Sequence, residues 1–113
     1  MTNEKITVVS VLGAAYIVRE SEPEKDVKLD GRDGYTDTSI RECVIDSMRK
    51  TDENSKTDLQ EYKKSVVRHE LIHAFLYESG LDSCSWATNE EMVDWIAIQF
   101  PKMLKAFEEA DAL

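Results

Sequence analysis

Cysteine is scarce in this chain: two among 113 residues, Cys43 and Cys84, far apart and in no CxxC arrangement. That argues against a disulfide-stapled secreted scaffold and against a Cys-rich zinc module, and a reducing compartment such as the cytoplasm fits best. Basic residues are outnumbered, 14 Lys and Arg against 23 Asp and Glu, for a formal net charge of −9. Nucleic acid and anionic membrane surfaces are therefore poor partners, because both are gripped by clustered positive charge. No apolar run is long enough to span a bilayer as a helix. The one run that has the length of a signal-peptide core, residues 6–18 ("ITVVSVLGAAYIV"), is rich in β-branched residues, is broken by Gly13 and follows a Glu4 that offsets Lys5. A β-hairpin is the expectation there. No repeat, low-complexity stretch or shift in composition divides the chain, and a single domain over residues 1–113 is expected.

Residues 5–11 and 15–20 read as two strands joined around residues 12–14, where glycine supplies the backbone angles of a tight reversal. The polar, glycine-punctuated stretch "SEPEKDVKLDGRDG" reads as a loop, and "YTDTSIRECVID" (residues 35–46) as a third, half-exposed strand. A helix is expected from Thr57 or Asp58, since Asp58 and Glu61 have the spacing of a capping box and apolar residues follow from Leu59 to Leu76. Gly80 is its expected left-handed stop. A second helix opens at Thr88 or Asn89 and runs through "MVDWIAIQF" to Pro101, which should kink or restart it. Beyond the proline, Met103, Leu104, Phe107 and Ala110 form one packing face, and Trp86 and Trp95 are expected in the core. Strands first and helices after predict an α+β domain: about three antiparallel strands packed on two helices.

Both histidines of the chain fall in "HELIHAFLYESGL", residues 69–81. At helical spacing His69 and His73 share one face and can aim their imidazoles at a common point roughly 2.0–2.1 Å from each, the zinc–nitrogen distance. Glu70 is rotated by about 100° and flanks that point, where it can accept a proton from water. Random placement of the two histidines in this composition yields an HExxH string about once in 500 sequences, so chance is a poor explanation. Catalytic zinc takes three protein ligands and an open position. No third histidine exists, and Leu76 and Ser79 stand where HExxHxxGxxH needs its glycine and last histidine. The third ligand must be a carboxylate or a thiolate. Glu90, Glu91 and Cys84 are the candidates, and Glu90 shares a helix face with Asp94, which could orient a ligand imidazole. Glu78, on the far side of the first helix from His69, reads as a solvated charge.

The stretch "NEEMVDWIA" (residues 89–97) resembles the second motif of the gluzincins, N-E-x-x-x-D, with Glu90 at the zinc-ligand position. It is also similar to the ligand helix of the ImmA/IrrE metallopeptidases, and the chain resembles small metallopeptidase-like proteins of phages and prophages. The likeness is strongest over residues 66–98. It implies a minimal zincin-like domain holding Zn2+ through His69, His73 and Glu90, with Asp94 behind a ligand, Glu70 as general base and a peptide or protein as substrate. It also implies an edge strand, residues 35–46, that could align substrate beside the helix. Tyr35, Tyr77 and Arg41 are the candidate donors to an oxyanion. Two other readings use the same residues: a zinc-binding regulatory or interaction module that cleaves nothing, and a metal-free helical interaction module.

Overall fold

The computed structural model describes residues 6–48, 58–83 and 86–113. Lys5, Thr57 and Cys84, to which the sequence reading gave a strand start, a helix start and a ligand role, lie outside them. β1 (Ile6–Val11) and β2 (Ala14–Ser21) pair antiparallel from Ile6 opposite Arg19 to Val11 opposite Ala14. Leu12 and Gly13 make the reversal, both at positive φ (50° and 89°), the paired left-handed geometry that matches strand twist in a two-residue hairpin. The polar stretch after β2 contains one 3₁₀ turn, Val27–Leu29, capped by Asp26 and anchored by a buried Leu29.

The third expected strand is two strands. β3 (Gly34–Asp37) and β4 (Glu42–Asp46) form a second antiparallel hairpin, and β4 lies parallel to β2, giving the order β1-β2-β4-β3. The sheet is therefore mixed and four-stranded, where about three antiparallel strands were expected. The intervening turn has neither glycine nor proline to announce it. Asp37 closes it by accepting from the Ser39 amide (3.1 Å) and hydroxyl (2.5 Å), and Arg41 adopts φ 54°, a left-handed conformation that a non-glycine residue seldom takes. Side-chain periodicity runs on through such a turn, so the two strands read as one.

α1 (Leu59–Glu78) starts as the capping spacing predicts, the Asp58 carboxylate accepting from the Glu61 amide at 3.2 Å. It stops at Gly80 (φ 76°) with the paired bonds Gly80 N to Tyr77 O and Leu81 N to Leu76 O, 2.9 and 3.0 Å. Its buried stripe is Val66, Glu70 and Ala74, four residues apart, pressed on β3 and β4. Val11, Tyr16 and Cys43 pack with Ala74 of that stripe in one core cluster. Gly34 permits the close approach: a Cβ there would come within 3.0 Å of Val44 O and 3.2 Å of Val66 Cγ1. Gly34→Ala should accordingly lower unfolding stability by about 1–3 kcal/mol, read as a shift in urea midpoint, because the added methyl must push helix and sheet apart.

α2 (Glu90–Glu109) is capped by Asn89, which accepts from the Met92 amide at 2.9 Å. It packs on α1 and buries Val93 and Ala97. It does not restart at Pro101 but runs on through it. The carbonyl that proline leaves without its helical partner, that of Ala97, accepts from Nε of Arg68 on α1 at 2.5 Å. Two expectations about packing fail. Trp95 is 56% exposed, since two residues from Val93 puts it on the opposite face of the helix, and Trp86 is 48% exposed. Leu104, Phe107 and Ala110 are also exposed and Met103 is half-buried, because the second half of α2 extends where α1 does not cover it. No helix among the described residues is long and apolar enough to cross a membrane.

Candidate metal centre

One turn apart on α1, His69 and His73 bring their Nε2 atoms to 3.2 Å, with the rings 69° from coplanar. The first residue of α2 completes a triangle: Glu90 Oε1 is 3.0 Å from each Nε2. Donors placed tetrahedrally about 2.0–2.1 Å from a zinc ion stand roughly 3.3–3.4 Å from one another, so the three atoms lie close to the spacing that ion requires. Among the described residues no other three His, Cys, Asp or Glu side chains converge in this way. Glu90, not its neighbour Glu91, is the carboxylate brought to the imidazoles.

Charge supports the same arrangement. What burial Glu90 has pushes its carboxyl up, but His73 and then His69 outweigh that and hold it below the usual carboxylate value. It is thus anionic at neutral pH, the form a cation needs. Asp94, one turn along α2, places Oδ1 3.3 Å from His69 Nδ1. With Nδ1–H directed at that carboxylate, the lone pair of His69 is left on Nε2, facing the triangle. Asp94→Asn should therefore weaken zinc binding by about 10–100-fold in a competition titration with a coloured chelator, with the helix content unchanged.

No protein-family model, curated protein or solved structure matches the chain.

Glu70 occupies a place that its spacing did not announce. It sits in the middle of the core-facing stripe of α1, only 7% exposed, yet it opens on the same cleft of about 530 Å³ as His69, His73 and Glu90. Thr36 of β3 meets it there: the Thr36 hydroxyl lies 2.7 Å from Glu70 Oε1 and 2.9 Å from the Glu70 carbonyl, and donates its single proton to one of them. Sequence reasoning missed Thr36. Its only signal was register, since Thr36 pairs with the fully buried Cys43 and so faces α1. Burial above all pushes the Cys43 thiol up to about 11, which makes it a packing residue rather than a nucleophile.

The proposed oxyanion donors separate. Tyr35 lines the cleft, but its hydroxyl donates to Asp26; burial and that bond raise it to about 12. Arg41 pairs with Glu78 at 3.7 Å, away from the cleft lining. Tyr77 does border the cleft, as does Arg32, which sequence reasoning passed over as a loop residue. Glu78 itself is not a solvated charge: it also accepts from Tyr16 at 2.8 Å, tying the end of α1 to β2.

Proposed function

We propose that this chain is a zinc-dependent metallopeptidase of gluzincin type with a minimal zincin-like fold, hydrolysing a peptide or protein substrate in the cytoplasm. The observation that carries the reading is the convergence of His69 Nε2, His73 Nε2 and Glu90 Oε1 at 3.0–3.2 Å beside a buried carboxylate in one cleft. Zinc held there would supply a Lewis acid and bring the pKa of a water towards about 7.

The protein's own groups supply the rest. Asp94 holds the tautomer and angle of His69. Thr36 engages Glu70 Oε1, which leaves Oε2 to take a proton from the attacking water and deliver it to the leaving amine. β3 is an edge strand. The bond from Asp46 N to the carbonyl of Asp33, the residue just before β3, fixes the alternation, so that the backbone groups of Gly34 and Thr36 point away from β4. An extended peptide can pair with them and lie along the cleft.

A second reading, a zinc-binding regulatory or interaction module without turnover, is favoured by one observation: of the three side chains foreseen for the oxyanion, Tyr35 is committed to Asp26 and Arg41 to Glu78. Elemental analysis of protein purified without chelator, followed by incubation with a proteome-derived peptide pool, separates the possibilities. One zinc per chain with new peptide termini is the expected result. One zinc without cleavage favours the regulatory module, and no zinc even after its addition leaves a metal-free interaction module.

A further inference from the structure

We infer that Arg68 is a positioning residue for the metal centre: by bonding the Ala97 carbonyl that Pro101 frees, it sets the register of α2 on α1 and so holds Glu90 and Asp94 over the two histidines. The inference rests on the metal-binding reading above.

The ligands come from two helices, and only the pair on α1 is fixed by helical geometry alone. Glu90 must be placed by whatever docks α2. The apolar part of that docking is modest, since Val93 and Ala97 are the buried residues of α2 and most of its second half is exposed. Apolar contact is non-directional and resists sliding poorly. A slip of one residue would move Glu90 by about 1.5 Å along the axis and swing it by about 100°. A metal site tolerates roughly 0.2 Å in its ligand distances.

Proline supplies a directional lock. Position 101 has no N–H, so the carbonyl four residues earlier lacks its helical donor. That carbonyl belongs to Ala97, which is fully buried and turned to α1. A buried acceptor without a donor is costly, so α2 is favoured only in the register that brings one. The donor is the Arg68 guanidinium, Nε at 2.5 Å, charged and therefore strong for its kind. Arg68 directly precedes His69, and Ala97 lies seven residues, about two turns, beyond Glu90. The lock and the ligands thus join the same two helices at two separated points, which fixes both slide and rotation.

The test is a double-mutant cycle read by zinc affinity in chelator competition, with thermal unfolding of the metal-free proteins alongside. Arg68→Met should weaken zinc binding by about 10-fold or more, as loss of a supporting group typically does. Pro101→Ala returns an amide N–H to the Ala97 carbonyl, so in that background Arg68→Met should cost no more than about threefold. Arg68→Lys, which keeps an N–H donor on a long stem, should retain most of the affinity. A residue acting only through packing or net charge would show equal losses in both backgrounds.

Equal losses overturn the inference, as does an Arg68→Met protein that binds zinc like the parent. If Arg68→Met does not fold, the double variant should, because its carbonyl is satisfied; an unfolded double variant also overturns it. A parent protein that takes up no zinc would instead overturn the metal reading itself, and this inference with it.

Discussion

Glu70→Gln should lower peptide hydrolysis by about 10²–10⁴-fold, the usual worth of a positioned proton acceptor, and leave zinc affinity unchanged. The substitution is close to isosteric. Its amide oxygen can still accept from Thr36, which lies 2.7 Å from Oε1 in the parent, so the contact between β3 and α1 survives. What it removes is the ability to take a proton. Because Glu70 belongs to the buried stripe of α1, the change also replaces a buried carboxylate by a neutral group, and the thermal midpoint should hold or rise. Hydrolysis and zinc titration on the same preparation decide the matter. Equal cleavage by parent and variant would point to a contaminating protease or to another mechanism, and loss of zinc from the variant would make Glu70 a ligand.

The second large effect concerns the proposed ligand set. Glu90→Ala and His73→Ala should each weaken zinc binding by more than the roughly 10–100-fold that loss of a supporting partner costs, since they remove a donor outright. Glu91→Ala should leave it unchanged, although the two glutamates are adjacent and both sit in the first turn of α2. The contrast is sharp because position on the helix is its only cause: about 100° of rotation separates a carboxylate 3.0 Å from both imidazoles from one that is not. Elemental analysis after gel filtration reads it directly. Retention of stoichiometric zinc by Glu90→Ala, or its loss from Glu91→Ala, would reassign the third ligand.

Local spacing made much of the site legible. His69 and His73 are held by one helix, and Glu90 and Asp94 by another, so each pair could be placed on a face from sequence alone. The Asp58 and Asn89 caps and the Gly80 stop are equally local, and the structure has all three. Long-range relations were not legible. The parallel pairing of β4 with β2 depends on a turn made by the Asp37 side chain and a left-handed Arg41, neither of which carries a composition signal. The donor that Thr36 presents to Glu70 depends on the register of β3 against β4 across the same turn. The bond from Arg68 to Ala97 likewise depends on how the helices dock, which is why a restart at Pro101 was a fair expectation although α2 runs through it and the freed carbonyl is met from the neighbouring helix. Trp95 and Phe107 misled for a different reason: an apolar residue at helical spacing marks a face, but whether anything covers it is decided elsewhere in the chain.

The Leu12–Gly13 reversal joins β1 to β2 at the border of the sheet opposite β3, and neither residue lines the cleft. That tip is the natural point to splice in a fluorophore tag or a surface-attachment peptide, because added chain there lengthens an exposed loop that includes none of His69, His73 and Glu90. An immobilised or labelled version of the protein made this way would carry its attachment on residues that take no part in lining the cleft.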